Sequence, residues 1–307
     1  MKKFENIIQL TNYFSDEKVC IDHLEKLRWE NGEPVCPHCG SKKVYRIENG
    51  KRFKCGNNEC HKKFSVIVGT IFENSKIPLR VWFIAIYLAC NHKKGISSLQ
   101  LSRDLGITQK SAWFVLQRIR EMLKDKAPEM LKNEVEIDET YIGGKEKNKH
   151  KSKKTEGTQG RSGKTKVPVL GIVERNGRII AKPIPDTRGE TIQPIMLKNV
   201  AYGSVIFTDE WHGYKGLGKL YIHKQVNHST GEYVNGRAYT NTIEGFWSLF
   251  KRGIIGIYHN VSHKHLEYYC DEFTYRYNTR EFSQQERFND AVTKSKGNRL
   301  KYKDLIA

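Results

Sequence analysis

Three acidic residues sit where a fold can gather their side chains. Asp138 ends the short apolar strand pattern "VEIDETYIGG" (135–144), Asp209 follows the apolar run in "SVIFTDEW", and Glu244 lies in "NTIEGFWSLFKRGI". In the last segment Ile243, Phe246, Trp247 and Phe250 recur at i, i+3, i+4 and i+7, the stripe of a buried helix face. Glu244 and Lys251 share a neighbouring face two turns apart. If the three carboxylates meet, at least one must take up a proton unless cations intervene. Hard divalent cations prefer oxygen ligands, and two Mg²⁺ ions about 4 Å apart can activate a water or 3′-hydroxyl while stabilising the leaving oxygen of an in-line phosphoryl displacement. Asp138 is expected to bridge both ions, Asp209 and Glu244 to complete one each, and Lys251 and Arg252 to contact a phosphate backbone. Competing groups lie close by. Strand alternation is expected to turn Glu139 and Glu210 to the opposite side from Asp138 and Asp209, and Glu136, on Asp138's face, reads as a solvated or supporting acid. Asn241 reads as a helix N-cap. Trp211, His212 and Tyr214 either pack their loop or stack on an unpaired base.

A second set of residues suits a different metal. Cys36 and Cys39 in "CPHCG" and Cys55 and Cys60 in "CGNNEC" form two pairs on tight turns, the spacing of a zinc ribbon in which tetrahedral zinc takes four thiolates. His38 and His61 stand beside them as alternative donors. The segment between the pairs reads as a hairpin turning at Asn49-Gly50. With four of the seven cysteines clustered and Cys20, Cys90 and Cys270 scattered, metal ligands plus buried thiols fit better than a disulfide framework.

The elements that must position these groups follow from composition and pattern. The chain has 307 residues, enough for two or three domains, and carries 53 Lys and Arg against 34 Asp and Glu, a formal charge of +19. Such an imbalance points to a polyanion, nucleic acid before an anionic membrane surface. No stretch approaches the roughly 20 apolar residues of a membrane span, and "MKKFENIIQL" lacks the features of a signal peptide, so the expected location is the cytoplasm. "SDEKVCIDHLEKLRW" reads as a short helix capped by Ser15, and "PLRVWFIAIYLACN" as a core helix. Two helical periods broken at Gly106, with a Thr108 cap and a second helix bearing Lys110, Gln117, Arg118 and Arg120, form a helix-turn-helix pattern; Lys110 and Arg118 are its expected DNA contacts. From 134 onward strands dominate: "VPVLGIVERNGR" is nearly continuous in apolar residues, like a strand covered on both faces, and turns at Asn176-Gly177 into "IIAKPIP". A helix, a strand ending at Asp209, another strand and the Glu244 helix complete the order of an RNase H-like core, an α/β fold with a mixed sheet and flanking helices. Residues 145–166, with nine Lys or Arg and two Glu, read as a basic loop beside the site.

The segments "RWENGEPVCPHCG", "GTIFENSKIPLRVWF", "GISSLQLSRDLGITQKSAWFVLQRIREML", "EIDETYIGG", "TDEWHGY", "NTIEGFWSLFKRGIIGIYHNVS" and "YYCDEFTYRYNTR" run in order over nearly the whole chain. In them the sequence resembles the zinc-ribbon-bearing insertion-sequence transposases of the DDE superfamily. The resemblance implies Asp138, Asp209 and Glu244 as the catalytic triad with Lys251 as the associated lysine, and cutting of transposon ends followed by joining to target DNA. The expected organisation is a helix and zinc ribbon over 1–70, a helix-turn-helix region over 71–130 and an RNase H-like domain over 131–307. The expected partners are double-stranded DNA, as inverted-repeat ends and target, and a second copy of the chain. A DNA-binding regulator with an inactive core and a structure-specific nuclease are the alternatives.

Overall fold

The structure is a computed structural model describing residues 3–29, 32–144, 149–155, 162, 165–226 and 240–306. Most of the basic loop expected over 145–166 lies outside these residues. Two compact units are present, one built from 1–123 with 281–307 and the other from 124–280.

The first unit opens with helices α1 (Ile7–Tyr13) and α2 (Glu17–Arg28). The α2 cap is Asp16 rather than the expected Ser15, its side chain accepting from Lys18 N. Strands β1 (Val44–Ile47), β2 (Arg52–Cys55) and β3 (Lys63–Phe64) make an antiparallel three-stranded sheet. The β1–β2 hairpin turns where expected, with positive φ at Glu48, Asn49 and Gly50. The core helix α3 (Leu79–Asn91) follows, its first-turn N–H groups at Leu79 and Arg80 satisfied by the Glu17 carboxylate. Helices α4 (Ser98–Leu105) and α5 (Gln109–Leu123) meet at Gly106, which adopts the left-handed conformation that ends a helix without a Cβ clash. Thr108 caps α5 through Ser111 N.

In the second unit β4 (Glu134–Ile142), β5 (Val167–Glu174) and β6 (Ile179–Pro183) form the expected meander, turning between β5 and β6 at Asn176 with φ 60°. Helix α6 (Gly189–Asn199) leads to β7 (Val205–Thr208) and β8 (Ile222–Gln225), then to α7 (Asn241–Gly253) and α8 (Leu266–Asn278). The strands lie in the order β6-β5-β4-β7-β8, with β4 parallel to β7 and antiparallel to β5. Asp138 is thus on the central strand. Alternation along β5 supplies both cores: Val169 and Val173 face Phe246, Trp247, Phe250 and Phe273, while Leu170 and Ile172 join Ile192, Met196 and Ile206. Both faces are covered, which is why β5 is apolar at every position from Pro168 to Val173.

The chain then returns to the first unit. Helix α9 (Gln284–Thr293), opened by a Ser283/Glu286 capping box, packs on α2 and α3, and Phe288 joins an aromatic cluster with Phe4, Phe14 and Phe83; α10 (Tyr302–Ile306) ends the chain. Ile71 N donates to Ser295 O at 2.9 Å. Residues 281–307, grouped by sequence order with the strand-rich segment, belong instead with the first unit, because Phe288, Ala291 and Val292 need an apolar partner and find it there.

Candidate active site

Asp138 lies on β4 just beyond the point where its pairing with β7 ends, at Glu136 opposite Phe207. Asp209 directly follows β7. Because the two strands run parallel, both acids emerge where their pairing stops, Asp138 in mid-β4 and Asp209 just past β7. Oxygens of Asp138, Asp209 and Glu139 all lie within 4.8 Å of one another. Glu139 was expected on the opposite face; it reaches the group because no β7 residue pairs with β4 there, and because the hydroxyl of fully buried Tyr214 donates to its Oε1. Tyr214 is therefore a packed support for an acid and not a base-stacking surface. Burial and the Glu139 carboxylate push its pKa well up, so it stays a donor.

Asp209 is fixed from two sides. Its Oδ1 accepts from Trp211 N at 3.0 Å, and its carbonyl accepts from Thr208 Oγ1 at 2.8 Å, with His223 Nε2 another 2.8 Å from that hydroxyl. The Trp211 indole, 41% exposed, is held by donation to Thr187 O at 2.7 Å. Asp138 is half-buried. Burial first, then the Asp209 charge and, more weakly, Glu244 push its pKa up to about 6, against donation by Trp247 Nε1 to its Oδ2 at 3.0 Å. Glu244, on the exposed side of the first turn of α7, accepts from Thr240 Oγ1 at 3.1 Å. The structure thus brings Asp138, Asp209 and Glu139 into one group, with Glu244 close enough to be felt electrostatically at Asp138.

The Asp138–Trp247 bond depends on a glycine. Gly171 pairs with Asp138 across β4 and β5, and a Cβ there would lie 2.5 Å from Trp247 Cζ2. Gly171→Ala must push the indole off the strand, which is expected to cost about 2 kcal/mol or more in stability and to loosen Asp138. A thermal unfolding midpoint equal to the wild type's would contradict this.

Glu136, expected as a solvated or supporting acid, is the supporting one. It is fully buried and accepts from Arg175 Nε at 2.8 Å, Thr242 N and Oγ1 at 2.9 Å each, and Ile243 N at 3.0 Å. It is neither solvated nor idle, and it takes over the capping expected of Asn241. Asn241 is the first residue of α7, Thr240 is the N-cap, and no Thr240 side-chain bond reaches the helix backbone.

Lys251 and Arg252 are exposed on the last turn of α7, the Arg252 guanidinium folded onto Ser248 O and Oγ. In the first unit Lys110 is exposed at the start of α5, its Nζ 5.0 Å from the Tyr302 ring centroid. Arg118 is a correction: it is 4% exposed, donates to Glu73 O at 2.7 Å and lies against Trp82 and Phe114. Gln117 and Arg120 are buried with it. The polar residues that suggested a reading face on α5 are spent inside the fold, and only its first turn is open.

The four cysteines form the other cluster. All are reduced, and Sγ–Sγ separations are 3.8 Å for Cys36–Cys60 and 3.6 Å for Cys39–Cys55. Tetrahedral zinc with bonds of about 2.3 Å requires about 3.8 Å between sulfurs, so the set fits a structural zinc ion. Neither His38 nor His61 is part of the group. The hard oxygens of the acidic cluster fit a divalent cation such as Mg²⁺, whose charge would relieve the repulsion felt at Asp138.

Comparisons agree with this geometry. Residues 130–278 match the ISXO2-like transposase domain and residues 15–63 the transposase zinc-ribbon domain. An uncharacterized protein in transposable element ISH50 of Halobacterium salinarum is 29% identical over 251 residues, 78% of this chain and 83% of that protein. An uncharacterized transposase-like protein of Haemophilus influenzae is 29% identical over 103 residues, 33% of this chain and 82% of that protein. No solved structure matches. No helix among the described residues is long and apolar enough to cross a membrane. The ribbon's four clustered thiols and the RNase H-like sheet, with Asp138 and Asp209 where the parallel pairing of two neighbouring strands stops, agree with both matches, and the chain belongs to the zinc-ribbon-bearing insertion-sequence transposases of the DDE superfamily.

Proposed function

We propose that the protein cleaves DNA strands at the ends of an insertion sequence and joins them to target DNA, with Asp138, Asp209 and Glu244 as the catalytic carboxylates and Mg²⁺ as their cofactor. The observation that carries this is the convergence of Asp138 and Asp209 where the pairing of β4 and β7 stops, with the Asp138 carboxyl pushed up to about 6 mainly by burial and then by its neighbour's charge. A cluster built against its own repulsion is one that a cation completes. When bound, Mg²⁺ supplies the charge that favours an oxygen nucleophile at neutral pH and offsets charge on the leaving oxygen. Trp247 orients Asp138, Trp211 N orients Asp209, and Tyr214 holds Glu139 beside them as a further oxygen donor. Lys251, exposed on the same helix as Glu244, would meet a DNA phosphate, with Arg252 beside it. The zinc ribbon and the open first turn of α5, with Lys110, would hold the inverted-repeat ends in the expected 1–70 and 71–130 segments, and the net charge of +19 favours that contact through counterion release. Two copies acting together would let one assembly process both ends.

The test is incubation of the protein and Mg²⁺ with a labelled end fragment and an unlabelled target. A joined product is the expected result. Cleavage without joining would favour a structure-specific nuclease, and binding without cleavage a regulator.

A further inference from the structure

We infer that Glu136 is a positioning residue: with Arg175 it locks the helix carrying Glu244 to the strand carrying Asp138 and so sets how those two carboxylates share a cation. The inference rests on the reading of Asp138, Asp209 and Glu244 as the divalent-cation site.

A carboxylate with no exposure is costly unless its charge is paired and its oxygens are filled. Glu136 meets both conditions from two different elements. Arg175, its side chain 7% exposed, comes from the end of β5, pairs with Glu136 and Glu134, and rests over the Phe207 ring at 3.8 Å. The other donors are the backbone N–H groups of Thr242 and Ile243 and the Thr242 hydroxyl. Helix starts leave such N–H groups orphaned and carry partial positive charge, so a carboxylate is the complementary partner. Usually the N-cap residue supplies the acceptor. Here Thr240 turns its hydroxyl to Glu244 instead, and the strand supplies the cap.

Placement gives this bond its consequence. Asp138 is two residues beyond Glu136 on the same strand, and side chains two apart in a strand share a face. Helix α7 is therefore tied to β4 at two points, by Thr242 and Ile243 to Glu136 and by Trp247 to Asp138. Glu244 lies between the two attachments. Releasing the first leaves the Glu244 turn free to shift relative to Asp138 while the rest of the stripe on α7 stays buried.

Glu136→Gln keeps the volume and one acceptor but removes the charge and adds an N–H group facing donors. Direct Mn²⁺ binding to the purified full chain, by calorimetry or electron paramagnetic resonance at a temperature where circular dichroism shows native structure, is expected to weaken about 10-fold or more, the usual scale for groups that orient metal ligands. Excess Mn²⁺ should recover cleavage in part. Glu25→Gln, which empties a buried acid paired with Arg46 in the other unit, serves as a control for lost stability and should leave Mn²⁺ affinity unchanged. Folded Glu136→Gln protein with wild-type Mn²⁺ affinity would overturn the inference. Should that variant not fold, Thr242→Val decides: it removes one donor, and a weakening of about 3-fold or more, the scale of one lost hydrogen bond, supports the inference while none overturns it. Wild-type Mn²⁺ binding that is indifferent to Asp138→Asn would overturn the cation-site reading, and this inference with it.

Discussion

Asp138→Asn is expected to lower strand cleavage by at least about 10³-fold and, in buffer free of divalent cations, to make the protein more stable at neutral pH. The two effects share a cause. A carboxyl whose pKa rises from 3.8 to about 6 on folding binds its proton more tightly in the native state than in the unfolded chain. Below about pH 4 both states are protonated and the group costs nothing. As pH rises toward 6 the unfolded chain ionises first and native stability falls, and above 6 the penalty is complete, at most about 3 kcal/mol. Asparagine does not titrate and can still accept from Trp247 Nε1. Melting curves of wild type and variant should therefore coincide near pH 4 and separate by pH 7, with the variant higher. Mg²⁺ should then raise the wild-type midpoint by mass action and leave the variant's unchanged. DNA binding by the variant should be equal or tighter, since one negative charge is gone. A variant that melts lower than wild type at pH 7 without divalent cations, or one that still cleaves, would remove Asp138 from this role.

The apolar patterns made most of the second unit legible. The all-apolar run at 167–173, the short run ending at Thr208 and the 3.6-residue stripe on Ile243, Phe246, Trp247 and Phe250 each describe burial, and burial is what layers a sheet between helices. Polar residues were harder to place, because their surroundings come from distant segments. Alternation separates Asp138 from Glu139 while neighbouring strands fill both edges; it gives no warning that β7 leaves β4 after Phe207 and that Tyr214 then draws Glu139 to the same cluster. Arg118 on α5 looked like a DNA contact because a charged residue on a helix is usually exposed. Phe114 lies one turn before it on α5, but only the backbone carbonyl of Glu73 and the Trp82 ring, distant in sequence, show how it is buried.

Glu136 was the case in which a signal existed. It lies between Val135 and Ile137 in a strand whose neighbour β5 is apolar from Pro168 to Val173, so a charge on that face had to be paired, and Arg175 stands just past the end of the antiparallel partner strand. The rule that a buried charge needs a partner would have turned attention from solvent to the first turn of α7. The acids of this strand divide between two duties. Asp138 keeps an unfavourable ionisation that a cation can relieve, and Glu136 has its charge fully matched and holds the geometry in which that relief takes place.

Removing zinc is expected to have the largest effect on the first unit. The ribbon's strands have four, four and two residues, too little to form an independent sheet. Its apolar content is also small: Phe53 and Phe64 stack at 5.3 Å, with the edge of Trp29 against Phe53 at the same distance. Structural zinc contributes about 10–16 kcal/mol of apparent binding energy in small domains of this kind, more than so few contacts supply. The cluster is prepared for it. Backbone N–H donation at Ser41 is the main influence drawing the Cys39 thiol down to about 7; Asn57 N donates to Cys55 Sγ at 3.4 Å and lowers that thiol's pKa, but desolvation and the neighbouring thiols outweigh it and push Cys55 up to about 12, so four thiolates together need the charge of a metal ion. Purified protein should therefore contain about one zinc ion per chain. A strong chelator, or Cys36→Ser, should open residues 33–64 to proteolysis and weaken binding to end DNA, while the cleavage pattern within 124–280 stays that of the zinc-loaded protein. Metal-free protein with that segment protected would show that the hairpin stands without zinc. The zinc requirement is also separable from the acidic cluster's: thiolates select zinc and carboxylates the hard cation, so Mg²⁺ added to chelated protein should not restore the ribbon.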